Sequence, residues 1–337
     1  MKKKVDYKSA GVDIKSGEKA VDKIKSLARS TFNDKVLTDI GKFGGFFSIN
    51  NIDMKDPVLV SSIDGVGTKL RVASLVNKHD TIGEDLVNHC IDDILAGGAS
   101  PLFFLDYIGT GKLSPEIIEQ IVTGMARGCR EAGCALIGGE MAEMPGFYQK
   151  NDYDLVGTIV GIVEREKVID GSSIKKGDTL IGLRSSGLHT NGYSLARKVL
   201  FDIASYTVDT YLDELGTTVG EALLWTHRCY LQLIIPLIEK YDIHGLSHIT
   251  GGGIYGNTKR ILPDGLSIEI NWNNWELPPL FRIIQEQGNI SEQEMRNVFN
   301  CGIGYVVIVP DEQTSSVIID LKDVGEEPVD MGTIVSK

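Results

Sequence analysis

Val58-Leu59-Val60-Ser61-Ser62-Ile63-Asp64-Gly65-Val66-Gly67-Thr68-Lys69 is an apolar run that halts at an acid and opens into a glycine loop. Pro57 bounds it on one side and Asp64-Gly65 on the other, so the pattern predicts a strand over 58–63. Glycines in such a loop leave backbone N–H groups free to face an anion. Lys69 adds a mobile positive charge, and Asp64 is placed to hold Mg²⁺ beside phosphates. The loop is not a Walker A motif, because the G-x-x-x-x-G-K-S/T spacing is absent. A plain turn carrying a surface lysine is the competing reading.

Outward from this run, strands and helices alternate. Residues 16–30 read as a helix with Ser16 as N-cap, and a Gly/Phe-rich loop follows at 41–47. Thr81-Ile82-Gly83-Glu84 has capping-box spacing and opens a helix to about residue 96. A strand covers 102–108. Ser114-Pro115-Glu116 starts a helix that runs to about residue 132. A short strand at 135–137 enters Gly138-Gly139-Glu140, and a longer one covers 155–163. Turn-rich sequence at Ile169 to Gly177 marks a boundary, giving domains over 1–170 and 171–337. The second half offers strands at 179–183, 266–270 and 305–309 and helices at 193–201 and 231–241. The expectation is an α/β (α+β) chain of two domains, with ligands at strand ends that run into glycine loops.

Bulk properties agree. The chain has 337 residues, ordinary for about two domains, with 42% hydrophobic and 24% charged. Its net charge is −12, and no long basic run is present, which argues against nucleic-acid binding. Met1-Lys2-Lys3-Lys4 is not followed by an apolar core, and no stretch approaches the ~18 apolar residues of a membrane span. A cytoplasmic location is expected. Five cysteines without a C-x-x-C pair read as reduced thiols. The 38 glycines cluster at 44–45, 65–67, 97–98, 138–139 and 251–253, where backbone approaches something closely.

Several acids stand in odd places. On helix 81–96, helical periodicity gathers Ile82, Leu86, Cys90 and Ile94 with Val87, Ile91 and Leu95 into one apolar stripe. Asp93 falls at the edge of that stripe, where a charge is costly unless paired or metal-bound. Asp92 falls beside Asp85 and Asn88 on what reads as a solvated polar face. His89 reads as a hydrogen-bonded structural histidine or a neighbour of the ligand Asp93. Asp106 interrupts an apolar strand, and Glu140 follows two glycines, with Glu143 close behind. Asp64, Asp93, Asp106 and Glu140 are hard oxygen donors from separate elements, which suits Mg²⁺. No His/Cys spacing suggests zinc. Ser186-Gly187-Leu188-His189-Thr190-Asn191-Gly192 could offer N–H groups and the His189 ring to a phosphate or a reacting amide, or be simply a capped helix start. His248-Ile249-Thr250-Gly251-Gly252-Gly253 is a further glycine turn of the same kind.

In these residues the chain resembles the phosphoribosylformylglycinamidine cyclo-ligase (aminoimidazole ribonucleotide synthetase) family. The likeness runs from Tyr7-Lys8-Ser9-Ala10-Gly11-Val12-Asp13-Ile14 through Gly44-Gly45-Phe46, the Asp64 to Leu70 loop and Pro101 to Tyr107. It continues in Gly138-Gly139-Glu140, Ala142 to Gly146, Ser186 to Ser194 and His248 to Gly253. The resemblance implies conversion of formylglycinamidine ribonucleotide and ATP into aminoimidazole ribonucleotide, ADP and phosphate. It also implies a homodimer whose N-terminal domains share a barrel flanked by helices, and dependence on Mg²⁺. On this reading Asp64, Asp93 and Glu140 hold the metal, and Asp64, Gly65, Val66, Gly67, Thr68 and Lys69 hold the nucleotide. Asp106, Ser186, Gly187, Asn191, Gly251 and Gly252 meet the substrate, while His189 and Lys69 assist catalysis. The family commonly has Asn-Asp where this chain has Asp92-Asp93, and Thr where it has Met141. The alternative is another ATP-using phosphoryl-transfer enzyme of the superfamily, such as a small-molecule kinase or a selenophosphate-synthetase-like enzyme. The latter usually needs a Cys near the N-terminus, and the first here is Cys90.

Overall fold

Two sheets divide the chain between them. The computed structural model describes residues 11–50 and 52–337. Residues 1–10, with the basic start and the first half of the first family block, lie outside the described part. After α1 (Ile14–Arg29), the first half contains β1 (Pro57–Gly65), α2 (Lys69–Val76), α3 (Asp80–Leu95) and β2 (Ser100–Thr110). α4 (Pro115–Glu131), β3 (Ala135–Glu143) and β4 (Tyr153–Glu164) complete it. Its sheet has the order β1-β4-β2-β3, in which only β2 and β3 run parallel.

The second half begins with β5 (Thr179–Arg184) and α5 (Tyr193–Arg197), which passes into a π-helical turn at Lys198–Ile203. A small hairpin, β6 (Tyr211–Leu212) and β7 (Thr217–Thr218), leads to α6 (Val219–Leu223), α7 (Leu231–Lys240) and β8 (Gly245–His248). Then come α8 (Gly253–Thr258), β9 (Leu266–Ile270), α9 (Pro279–Gly288), α10 (Glu292–Val298), β10 (Ile303–Val309), α11 (Asp311–Asp323) and β11 (Val329–Ser336). An antiparallel sheet of order β8-β10-β5-β11-β9 results. The mixed α/β two-domain architecture is the one expected.

Alternation sets the faces of the first sheet. Val58, Val60, Ser62 and Asp64 turn toward the helices, while Leu59 and Ile63 on the opposite face are 61% and 66% exposed. Helices α3 and α4 cover the inner face and cross where glycines meet. A Cβ on Gly83 would lie 1.9 Å from the Ile121 carbonyl oxygen, and one on Gly124 1.8 Å from that of Asp80.

Three local expectations change. α1 is capped by Asp13, whose carboxylate accepts from the Lys15 N–H, rather than by Ser16. The capping box at Thr81 does not form: α3 starts at Asp80, and Glu84 reaches Arg127 of α4 (2.7 Å) instead of its own backbone. Lys69 is not part of an exposed loop but the first residue of α2.

Candidate active site

β1 ends at the cleft between the two halves, and its inward alternation delivers Ser62 and Asp64 there. One turn of α3 runs alongside and supplies His89 and Asp93. The Ser62 hydroxyl donates to Asp93 (2.8 Å). His89 Nε2 lies 2.8 Å from Asp64 Oδ2, and the Gly65 N–H donates to Asp64 Oδ1 (2.7 Å). From the second half, the His248 ring at the end of β8 meets Asp93 at 2.9 Å. Two of the three carboxylates expected as metal ligands thus stand on neighbouring elements, each steadied by an imidazole and still partly open, with side chains 40% and 29% exposed. Burial pushes both carboxyls up, but the hydrogen-bonded histidines pull them below the ordinary aspartate range. They are therefore ionised oxygen donors at neutral pH, which fits Mg²⁺.

A chain of contacts carries the site across the cleft. The Thr190 hydroxyl lies 2.6 Å from His89 Nδ1, and Asn191 Nδ2 lies 3.4 Å from that hydroxyl. A Cβ on Gly251 would meet Asn191 Oδ1 at 3.3 Å, so the Gly251-Gly252 turn and Asn191 share one wall. Of the loop after β1, Gly67 and Thr68 are exposed and Val66 is buried. Thr68 Oγ1 lies 3.1 Å from Ser194 Oγ across the cleft. Ser186 is exposed, with its hydroxyl on the Thr226 carbonyl; Gly187 packs beneath Trp225.

Three expectations about this site need correction. Lys69 is fully buried, with Nζ 2.7 Å from Asp85 and donating to the carbonyls of His189 (3.1 Å) and Trp225 (2.7 Å). It joins the halves from beneath and is not a mobile charge, because the helix it opens points its side chain into the interface. His189 is also fully buried: its Nε2 accepts from the Ser186 N–H (3.2 Å), and its ring stacks on His227 at 4.0 Å. Burial pushes its pKa far down, so it is a neutral packing group rather than a proton donor facing a ligand. Asp92 is not on a solvated face. It shares a stripe with Asp85 and Asn88, as periodicity predicts, but the segment Trp225 to Tyr230 covers that stripe. Asp85 accepts from the His227 N–H (2.6 Å), Asn88 donates to the His227 carbonyl (2.7 Å), and Asp92 accepts from the Tyr230 N–H (2.9 Å).

Asp106 and Glu140 stand elsewhere. Strand register aligns Asp64 with Gly157, Gly157 with Asp106, and Asp106 with Gly139. Glu140 is thus at the far edge of the sheet from Asp64, roughly 14 Å away along three inter-strand steps. Within one chain Glu140 does not join Asp64 and Asp93. With Asp106 and Met141 it lines a cavity of about 730 Å³ walled by α1, β2, β3 and the loop at 39–45. Burial pushes the Asp106 carboxyl up to about 7. Glu143 is taken by backbone, accepting from the N–H groups of Asp13 (2.7 Å) and Leu113 (2.9 Å). His227 escaped the sequence reading altogether: it lies in an irregular segment with no motif or period to mark it.

Comparison with known proteins decides the family. Residues 49–163 match the AIR synthase related protein N-terminal domain, and residues 175–337 match the corresponding C-terminal domain. The chain belongs to the AIR synthase family. It is 52% identical over 332 residues to a phosphoribosylformylglycinamidine cyclo-ligase of Alkaliphilus oremlandii, covering 98% of this chain and 97% of that one. A relative of the same name from Geotalea uraniireducens is 50% identical, at 98% and 95% coverage. Among solved structures, a thiamine-monophosphate kinase from Stenotrophomonas maltophilia shares the AIR synthase fold with a TM-score of 0.71 at 17% identity, covering 94% of each chain. A hydrogenase maturation protein HypE in complex with ATP superposes with a TM-score of 0.69 at 15% identity, covering 95% of this chain and 86% of that one.

Proposed function

We infer that this family member is a phosphoribosylformylglycinamidine cyclo-ligase, which closes the imidazole ring of aminoimidazole ribonucleotide at the expense of ATP. One observation carries the reading: Asp64 and Asp93 stand paired beside the exposed Gly67-Thr68 turn, in a chain half-identical along nearly its whole length to relatives of that name. No helix among the described residues is long and apolar enough to cross a membrane, in keeping with a cytoplasmic biosynthetic enzyme.

The reaction divides in two. The formamide carbonyl is a poor electrophile until its oxygen takes the γ-phosphoryl of ATP and becomes a leaving group. The amidine nitrogen then attacks the same carbon, its proton is lost, the C–O bond breaks, phosphate departs and the ring closes. Transfer of this kind depends on positioning and charge neutralisation. Mg²⁺, when bound, neutralises the triphosphate. Asp64 and Asp93 are the residues to hold it, and Ser62, His89 and His248 fix the carboxylate rotamers. The Gly67 and Thr68 backbone faces the polyphosphate. Asn191, Ser186 and the Gly251-Gly252 turn form the opposite wall, for the substrate's ribose phosphate. Lys69 and His189 position this wall from below and touch no substrate.

The open sheet face supports homodimerisation: Leu59 and Ile63 stand exposed on it, an apolar row for a second copy to cover. A second copy closing the barrel is also the means by which Glu140 joins the metal carboxylates. Incubation with formylglycinamidine ribonucleotide, ATP and Mg²⁺ should yield aminoimidazole ribonucleotide and ADP. Asp93→Asn should lower turnover by orders of magnitude with the fold retained. Near-normal turnover in that variant would remove Asp93 from the metal, and absence of product from the native enzyme would remove the reaction.

A further inference from the structure

Four of the six histidines, His89, His189, His227 and His248, meet at the junction of the two halves with their rings against one another. Steadying Asp64 and Asp93 accounts for His89 and His248 only in part and leaves His227 without a role. The hydrogen bonds of the cluster reveal where it is incomplete. Asp64 is an acceptor, so the N–H of His89 belongs on Nε2, which faces it at 2.8 Å, and Nδ1 accepts the Thr190 hydroxyl (2.6 Å). The Thr190 oxygen then accepts from His227 Nδ1 (3.3 Å), which leaves a lone pair on His227 Nε2. Asp93 takes the Nδ1 proton of His248, which leaves a lone pair on His248 Nε2.

These two lone pairs point at each other, Nε2 to Nε2, at 3.2 Å. The third member of the group is Asp92 Oδ2, 3.4 Å from His227 Nε2, fully buried and without a hydrogen-bond partner. Three donor atoms therefore converge, and burial pushes the Asp92 carboxyl well up, so the one hydrogen available to them is that carboxyl's, which a bound cation would displace. All three atoms lie within 4.8 Å of one another, and the two edges at His227, 3.2 and 3.4 Å, match the edge of a tetrahedron, about 3.3 Å for metal–ligand bonds near 2.05 Å. The other ring nitrogens are held by a carboxylate and a hydroxyl, the outer contacts that orient ligating histidines. His89 does not compete for the role, because its Nδ1 takes the Thr190 hydroxyl and its Nε2 lies against Asp64 (2.8 Å).

We propose that Asp92, His227 and His248 form a binding site for one divalent transition-metal ion of the zinc class, separate from the magnesium held with ATP. Two imidazoles and one carboxylate select Zn²⁺ or Co²⁺ over Mg²⁺, which prefers oxygen ligands alone. Asp92 belongs to α3, whereas His227 and His248 belong to the second half, so the ion clamps the two halves together. It also fixes the ring that steadies Asp93.

The test uses the full-length enzyme, stripped with chelator and titrated with Co²⁺ in the absence of nucleotide. The wild type should bind one equivalent per chain, develop the visible d–d bands of tetrahedral cobalt, lose them to Zn²⁺, and gain thermal stability on binding. His227→Gln and Asp92→Asn should each weaken cobalt binding at least tenfold, with circular dichroism reporting that they fold. Asp92→Asn keeps an oxygen for the Tyr230 N–H and carries the test if His227→Gln does not fold. Asp64→Asn should keep the cobalt spectrum. The proposal is overturned if tetrahedral bands never appear, if Asp92→Asn binds as tightly as wild type, or if Asp64→Asn alone abolishes binding. Because no nucleotide or substrate is present, the result is independent of the cyclo-ligase reading.

Discussion

Asp106 shows how a single carboxyl can shape the behaviour of the whole chain. Its pKa rises to about 7 through burial, while in the unfolded chain it titrates near 4. Over that window the unfolded chain gives up a proton that the folded protein keeps, so stability falls as pH rises from about 4 to 7 and levels off above. Asp106→Asn has no such proton. Its urea midpoint should lack this decline and should exceed that of the wild type at pH 8 by more than at pH 5; an unchanged slope would mean that another group is responsible. Residues differ in how far sequence reveals such roles. Asp93 was legible because a charge at the edge of an apolar stripe demands a partner, and its partners proved to be Ser62 and His248. Asp92 and Lys69 were not, because what buries them lies more than a hundred residues away. Helical periodicity assigns a face and cannot say what will dock on it.

At the scale of elements, the strand–loop alternation and most helices were readable from caps, glycines and period. Boundaries that depended on partners were not: Glu84 satisfies Arg127 rather than a cap, and β3 continues through Glu143 because parallel pairing with β2 extends that far. The crossing of α3 and α4 rests on glycine at two contact points, where carbonyl oxygens occupy the space of a side chain. Gly124→Ala should force the helices apart and cost about 3 kcal/mol, the upper part of the usual range for overpacking, read as a lower denaturation midpoint. Ala at Gly133, which has open space but a φ of +68°, should cost only the backbone strain, about 1 kcal/mol. Equal losses at the two sites would contradict this account of the helix contact.

For the molecule as a whole, register sets the arrangement of the acids: Asp64 and Glu140 sit at opposite edges of one sheet. If Glu140 of the partner subunit completes each site, Asp93→Asn and Glu140→Gln should complement each other. Random mixing of the two inactive proteins makes half the dimers mixed, each with one intact site, so activity should recover to about a quarter of wild type. No recovery would leave Glu140 outside the shared site. The stripe of α3 has a different consequence. Asp85, Asn88 and Asp92 serve as a socket cut to the backbone of Thr226 to Tyr230, so the two halves are matched parts rather than interchangeable modules. A chimera joining the first half of this chain to the second half of a distant relative would inherit a seam of mismatched polar groups, unless the socket and its plug were transplanted together.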